Sequence, residues 1–160
     1  MEDQDHSRLR GSILADDMGL GKTLTTLALI LATSSQGRRF QEADPQHRSC
    51  ATLVICPPST LSTWKHEISQ RFTEHSITYK VFHGPKRKDL ELEDLQSAMV
   101  VLTTYDMIGK SGNEKHPNVL TVGSLKLCWF RIVLDEAQYV MFQPTGLRVY
   151  NSWIIILCSA

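Results

Sequence analysis

Residues 16–23 have the composition of a phosphate-binding loop: they read DDMGLGKT and stand between an apolar stretch and a helical one. Triphosphate oxygens need many hydrogen-bond donors in a small space, and glycines allow the backbone amides to curl inward around them. Lys22 would then reach the β and γ phosphates, and the Thr23 hydroxyl would bind Mg²⁺. The residues predicted to hold the nucleotide are Gly19, Leu20, Gly21, Lys22 and Thr23.

The loop departs from the strict pattern GxxxxGK(S/T), because Asp16 stands where the first glycine belongs. The alternative interpretation is a glycine-rich strand-to-helix turn that carries a lysine by chance. The position of the GLGKT segment favours the nucleotide interpretation, since it directly precedes a predicted helix whose N-terminus would attract an anion.

A second candidate segment, residues 130–138, is an apolar strand that ends in two adjacent carboxylates (FRIVLDEAQ). Side chains alternate along a strand, so the two carboxylates can take different roles. Asp135 would hold Mg²⁺, directly or through water, and Glu136 would polarise the attacking water. An acidic pair that caps the next helix is the better interpretation of this segment alone. Together with the loop, it predicts an ATPase site whose catalytic residues are Lys22, Asp135 and Glu136.

These residues belong to a chain in which short apolar strands alternate with helical stretches. Continuous apolar strands flanked by helices predict an α/β domain in three layers, with a mainly parallel central sheet. Leu61, Trp64 and Ile68 have helical spacing, so we interpret Trp64 as a core residue rather than a base-stacking one. The predicted strands are 11–15, 51–56, 77–82, 99–102, 130–134 and 153–158, and the predicted helices are 22–33, 59–72 (with Ser59 as a plausible N-cap) and 89–97.

Charge and composition limit the classes of partner. Lys plus Arg and Asp plus Glu number 17 each, so the chain lacks the basic surface of an autonomous nucleic-acid binder. Residues 1–10 form a polar leader unlike a signal peptide, so we expect an intracellular protein. The longest apolar run, residues 153–158, is too short to cross a bilayer. Two polar segments, residues 34–49 and 110–124, are predicted to be surface loops or insertions.

With these motifs in hand, the chain resembles the first RecA-like lobe of superfamily-two helicases, and closely the Swi/Snf branch. ILADDMGLGKTLT is similar to motif I of that branch, in which aspartate at the first position is usual. LVICPPSTLSTWKHEI resembles motif Ia, VVLTTYDMI the strand-end motif that follows, and WFRIVLDEAQ motif II. Within that branch, the stretches DDMGLGKTLT and WFRIVLDEA are more similar to those of DNA-repair and transcription-termination relatives than to those of the core nucleosome remodellers.

The resemblance implies the ATP-binding lobe of a nuclear, DNA-dependent ATPase or translocase acting in chromatin remodelling or DNA repair. ATP and Mg²⁺ would be its cofactors, and double-stranded DNA or chromatin its partner. Gln138 would couple the nucleotide site to DNA and to a second lobe. Helix capping at Ser59 and Thr60, and β propensity at Thr103, are the alternatives to DNA contact. The implied contacts with one strand's phosphates are Ser59, Thr60, Lys65, Thr103 and Thr104.

The match has gaps. The upstream glutamine motif lacks a convincing counterpart, and residues 139–151 replace the expected basic, asparagine-containing segment. We expect residues 11–160 to be this lobe, incomplete at its C-terminus and without the second RecA-like lobe that supplies arginine fingers. Because such fingers contribute roughly a thousandfold or more to phosphoryl transfer, the chain alone should bind Mg-ATP weakly and turn it over little.

Two other functions compete with this interpretation. A degenerate, non-catalytic interaction module would retain the P-loop fold without turnover. The intact Lys22, Thr23, Asp135 and Glu136 argue against decay of the site, whereas the missing lobe argues for loss of function. A P-loop kinase or transporter ATPase is the second alternative, and the DEAQ and TTYD stretches oppose it.

Overall fold

The computed structural model of the chain describes residues 10–16, 21–108, 120–137 and 153–159. Its strands are β1 (Arg10–Asp16), β2 (Arg48–Cys56), β3 (Tyr79–Phe82), β4 (Val100–Thr104), β5 (Cys128–Asp135) and β6 (Trp153–Ser159). Its α-helices are α1 (Lys22–Ala32), α2 (Ser34–Glu42), α3 (Leu61–Arg71) and α4 (Leu92–Ser97). Short 3₁₀ helices span Pro85–Asp89, Tyr105–Met107 and Gly123–Leu125.

The strands form one sheet in the order β1-β6-β5-β2-β4-β3, and all neighbouring pairs are parallel. Parallel strands end at the same edge of a sheet, so the end of β1 and the end of β5 lie on one side of the molecule. β6 lies between these two strands and is in register with both. The sheet thus places residues 16 and 135 at its carboxyl edge, two strands apart.

Helices and loops cover both faces of this sheet. On one face, Leu27 of α1 and Trp64 of α3 pack against Val54 of β2. On the other, Leu95 of α4 and the segment around Val122 cover Leu53 and Ile55, the neighbours of Val54 in β2. Side chains of one strand therefore enter both cores, as expected of a parallel sheet buried on both sides. The predicted α/β class, with three layers around a parallel sheet, is confirmed.

The predicted loop at residues 34–49 is wrong, because Ser34–Glu42 form α2 and β2 begins at Arg48. The polar residues of this segment belong to an exposed helix rather than to a loop. Most of α2 faces solvent, and the helix docks through Gly37 and through Phe40, whose ring centroid lies 5.8 Å from that of Phe130.

The other predicted boundaries differ by smaller amounts. The acidic helix is shorter than expected, because Leu92–Ser97 is helical and Pro85–Asp89 forms a separate 3₁₀ helix. The polar leader lies outside the described residues apart from Arg10, which begins β1. Most of the predicted loop at 110–124 also lies outside them. No helix in the described part of the chain is long and apolar enough to cross a membrane.

Replacing Gly37 with alanine is expected to destabilise the chain, although alanine is ordinarily favoured over glycine in a helix by about 1 kcal/mol. A Cβ at Gly37 would lie 2.7 Å from the carbonyl oxygen of Cys50 and 3.3 Å from the Phe130 ring. We expect α2 to shift away from β2 and the free energy of unfolding to fall by about 1–3 kcal/mol. Chemical denaturation measures the change, and Gln36→Ala, at an exposed site of the same helix, is the control. A Gly37→Ala variant as stable as the wild type would contradict this packing.

Candidate active site

The first turn of α1 has features that suit an anion-binding site. Gly21 precedes the helix in the left-handed conformation, with φ 82°, which side chains rarely adopt. A Cβ at this position would meet open space, so the backbone angle rather than crowding calls for glycine. The first turn of α1 contains no acidic residue, and no side chain among the described residues caps it. The positive end of the helix dipole is therefore free of a neighbouring carboxylate from its own first turn.

The carboxyl end of α1 is fixed to the strand that carries the acidic pair. Arg131 of β5 is 4% exposed and donates a hydrogen bond of 2.9 Å to the Thr33 hydroxyl. That hydroxyl in turn donates to the carbonyl oxygen of Leu29, at 2.6 Å. This chain of hydrogen bonds joins α1 to β5 and limits sliding of the helix relative to the strand.

The structure brings the two sequence motifs together in one cavity of about 360 Å³. Its wall includes Gly21, Lys22 and Thr23 at the start of α1, and Asp135 with Glu136 at the end of β5. Two predicted members, Gly19 and Leu20, lie outside the described residues, and so does Gln138, so their roles stay predictions. The grouping places cationic, hydroxyl and carboxylate groups around a space open to solvent.

The third wall of this cavity was missed by the sequence analysis. It is one face of α3, and the side chains that form it recur every three or four positions. That spacing was the available signal, because a helix presents such positions on one side. The residues are Thr60, Thr63, Trp64, Glu67 and Arg71.

Asp135 accepts hydrogen bonds from two aromatic side chains on different elements. The indole Nε1 of Trp64 donates to its Oδ2 at 2.8 Å, and the Tyr105 hydroxyl donates to its backbone oxygen at 2.8 Å. The residue is 8% exposed. Burial raises the pKa of the Asp135 carboxyl, and the charge of Glu136 adds to this rise. Hydrogen bonds from Trp64, from the Glu136 backbone and from the Thr60 side chain oppose it. The carboxylate is thus oriented but desolvated.

Glu136 follows β5 in the left-handed region, with φ 53°. This conformation is uncommon outside glycine, asparagine and aspartate, and it turns the chain sharply at the strand end. Glu136 is half-buried and lines the same cavity as Asp135. The two neighbouring carboxylates thus line one cavity with different exposure, which suits different roles.

The predicted DNA contacts of Thr103 and Thr104 are corrected by their packing. Both are fully buried in β4, which lies between β2 and β3. The Thr103 hydroxyl donates to the carbonyl oxygen of Phe82 at 2.9 Å, and the Thr104 hydroxyl lies 3.1 Å from Nδ1 of His83. These side chains stabilise the sheet and present no group to a phosphate at the surface.

The other predicted DNA contacts lie at the start of α3. Ser59 and Lys65 are exposed, so their DNA contact stays a prediction. The predicted N-cap role of Ser59 is wrong, because α3 begins at Leu61 and Thr60 occupies the cap position without a side-chain cap bond. The Thr60 hydroxyl donates to the Pro57 carbonyl oxygen at 3.1 Å, and the residue lines the 360 Å³ cavity instead of an outer surface.

A larger cavity of about 580 Å³ lies elsewhere, between the end of α3 and β3. Ile68, Phe72 and Ile77 give it an apolar floor, and Glu74 and Lys80 are its charged members of opposite sign. It lacks the helix N-terminus, the glycine and the paired carboxylates of the smaller cavity. Size alone therefore does not identify the site, and the smaller cavity is the candidate on the basis of its side chains.

Comparison with known proteins gives one consistent group. The family profile of the SNF2-related domain matches residues 1–146. DNA repair protein RAD5B of Arabidopsis thaliana is 34% identical over 151 residues, covering 82% of this chain and 12% of the relative. Transcription termination factor 2 of Drosophila melanogaster is 32% identical over 158 residues, covering 82% and 14%. A probable global transactivator of Orgyia pseudotsugata multicapsid polyhedrosis virus is 34% identical over 157 residues, covering 92% and 28%.

Proposed function

Because the chain belongs to the SNF2-related domain family, we propose that it is the ATP-binding lobe of a DNA-dependent ATPase. The observation that supports this most is the cavity in which the start of α1 faces Asp135 and Glu136. The lobe is proposed to occupy residues 11–160, with Mg-ATP at the carboxyl edge of the sheet. Ligands of open α/β sheets bind at this edge.

The residues around the cavity fit a magnesium nucleotide. Mg²⁺ prefers hard oxygen ligands, which the Thr23 hydroxyl and the Asp135 carboxylate supply. Lys22, at the first position of α1, would bind the β and γ phosphates together with backbone amides from Gly19 to Thr23. When bound, Mg-ATP supplies the phosphoanhydride bond that is cleaved. Glu136 would accept a hydrogen bond from the attacking water and so orient it.

In the proposed function, this site needs a second RecA-like lobe to hydrolyse ATP efficiently. The chain spans 12%, 14% and 28% of the three relatives named above, so activity of the whole protein is part of the proposal. Arginine fingers from a second RecA-like lobe would stabilise the charge that develops on the transferred phosphoryl group. We therefore expect weak nucleotide binding and little turnover from this chain alone.

We propose double-stranded DNA or chromatin as the macromolecular partner, and a nuclear role in chromatin remodelling or DNA repair. The exposed Ser59 and Lys65 at the start of α3 are the described residues of the predicted DNA set that can reach a phosphate. Hydroxyl and ammonium groups of this kind position a DNA backbone without reading sequence. Gln138 is proposed to couple the DNA and nucleotide sites.

A second candidate is a non-catalytic interaction module that keeps the fold without turnover. The presence of Lys22, Thr23, Asp135 and Glu136 around one cavity disfavours it, because these are the groups that phosphoryl transfer requires. The two functions differ in whether a partner lobe restores hydrolysis.

Supplying a second RecA-like lobe in trans should give ATP hydrolysis that duplex DNA stimulates. Steady-state phosphate release measures it with and without DNA, and Lys65→Ala is expected to lower the stimulation by removing a phosphate contact. Glu136→Gln is the inactive control, because it removes the group that orients water. If the two lobes associate and DNA still leaves the rate unchanged, the motor proposal fails and the interaction module is favoured.

A further inference from the structure

Trp64 connects the core of the domain to the proposed metal ligand. It is 1% exposed and packs with Leu27 of α1 and Val133 of β5, as an ordinary core residue does. Its indole N–H, however, points to the end of β5 and donates to Oδ2 of Asp135 at 2.8 Å. Indole nitrogen is a donor only, and a buried donor is costly without an acceptor. The carboxylate therefore provides the acceptor that the buried indole N–H needs, and one of its two oxygens, Oδ2, is engaged in this hydrogen bond.

We propose that Trp64 is a positioning residue, which holds Oδ2 of Asp135 so that Oδ1 is presented to Mg²⁺. The inference rests on the proposed ATP site, since it assigns a function to a contact of its metal ligand. An aspartate side chain rotates broadly about its terminal bond, so a carboxylate without a fixed partner samples many directions. A charge-assisted hydrogen bond from a buried, rigid ring removes that freedom before the metal arrives.

The backbone and the side chain of Asp135 are held by different residues. The Tyr105 hydroxyl binds the backbone oxygen of Asp135, which fixes the peptide at the strand end. Trp64 donates to Oδ2 of the side chain, and the Thr60 hydroxyl also interacts with this carboxylate. Of the two, Trp64 is the fully buried and rigid donor, so it sets the direction of the carboxylate. Because Thr63 and Glu67 on the same helix line the cavity, a displacement of α3 would change both the wall of the site and the carboxylate orientation.

Packing alone is the competing explanation, and Trp64→Phe separates the two roles. Phenylalanine keeps an aromatic ring in the core but removes the N–H donor. The matched control is Trp129→Phe, since Trp129 is also 1% exposed but belongs to the core on the opposite face, near the start of β5. Both variants should lose some stability from the smaller ring, which thermal denaturation records.

The test is a Mg²⁺ titration at a fixed concentration of a fluorescent ATP analogue, repeated in EDTA. For Trp64→Phe, we expect half-saturation at roughly 10- to 100-fold higher Mg²⁺, the usual cost of losing a partner of a metal ligand. Affinity for the metal-free nucleotide should stay within about twofold of wild type, and Trp129→Phe should leave the Mg²⁺ dependence unchanged. A Trp64→Phe protein with the Mg²⁺ dependence of the wild type would overturn the inference while leaving the ATP site intact. A wild-type protein without Mg²⁺-dependent binding would overturn both.

A second measurement covers the case in which Trp64→Phe fails to fold. The chain has three tryptophans, so 5-fluorotryptophan labelling gives a simple ¹⁹F NMR spectrum. Trp129→Phe and Trp153→Phe variants assign the signals, and that of Trp64 follows by elimination. Addition of Mg-ATP should shift the Trp64 signal more than it shifts that of Trp129. An unmoved Trp64 signal in protein saturated with Mg-ATP contradicts the proposal.

Discussion

Replacing Lys22 with alanine should weaken Mg-ATP binding by about 10- to 100-fold, because one hydrogen bond to a charged group contributes about 1.5–3 kcal/mol. The ammonium group lies at the first residue of α1, in the cavity that also contains the two carboxylates. Lys22 is half-buried at a helix start, so its removal should change the free energy of unfolding by less than about 0.5 kcal/mol. Titration of a fluorescent ATP analogue in Mg²⁺ gives the affinities.

The control for Lys22 is Lys65→Ala, which removes the same charge from an exposed position on α3, outside the cavity. Its nucleotide affinity should match that of the wild type. Lys22→Arg keeps the charge but changes its shape, and it should fall between the two. Equal nucleotide affinity of the wild type and Lys22→Ala would contradict the proposed contact between Lys22 and the phosphates.

Replacing Asp135 with asparagine should have two opposite effects: loss of Mg²⁺-dependent nucleotide binding and a gain in stability near neutral pH. Asparagine has nearly the same shape and still accepts the Trp64 hydrogen bond, but it carries no charge that must be desolvated. We expect the melting temperature to rise by roughly 2–4 °C, the shift that about 1 kcal/mol produces in a domain of this size. The gain would show that burial of the Asp135 carboxylate, the proposed metal ligand, costs the wild-type fold stability.

The pH dependence follows from the raised pKa of Asp135. Burial favours the protonated form, so the folded chain holds this proton more tightly than the unfolded chain does. The resulting stabilisation is complete below the ordinary value of 3.8 and disappears as the pH rises through the raised pKa. Asparagine does not titrate, so the stability of Asp135→Asn relative to the wild type should increase over that range.

Thermal denaturation across that pH range measures the effect on stability, and Asp106→Asn is the control. Asp106 is an exposed carboxylate in a 3₁₀ helix, so its loss leaves the buried site unchanged. A melting temperature of Asp135→Asn below that of the wild type at neutral pH would contradict the proposed desolvation. If Asp135→Asn still bound the nucleotide in a Mg²⁺-dependent manner, Asp135 would not be a metal ligand.

The placement of the two motifs was predictable where strong local patterns carry it. Residues 130–135 are apolar up to their final carboxylate apart from Arg131, and residues 21–23 directly precede or begin a helix. Because parallel strands share their carboxyl edge, both motifs were expected at the same edge of the sheet. The strand order, which leaves only β6 between β1 and β5, is known from the structure. The structure brings Lys22 and Asp135 to one cavity, as the sequence analysis predicted.

The remaining features depend on tertiary contacts that local sequence does not encode. Residues 34–42 are polar enough for a loop, and they form a helix because Gly37 and Phe40 find a surface on β2 and β5. Thr103 has a hydroxyl that could bind a phosphate, yet it lies in β4, between two other strands, and is completely buried. The spacing of Trp64 correctly indicated a core residue, but the direction of its N–H toward Asp135 depends on how α3 crosses the sheet.

The most direct test of the ATP site is its location, measured with Mn²⁺ in place of Mg²⁺. Mn²⁺ accepts the same oxygen ligands and broadens the NMR signals of nearby nuclei. In the presence of ATP, we predict broadening of the backbone amide signals of Lys22 and Thr23 together with those of Asp135 and Glu136. Signals from residues 73–80, beside the larger cavity, should keep their line widths. Broadening centred on residues 73–80, with the signals of Lys22 and Asp135 unchanged, would contradict the account.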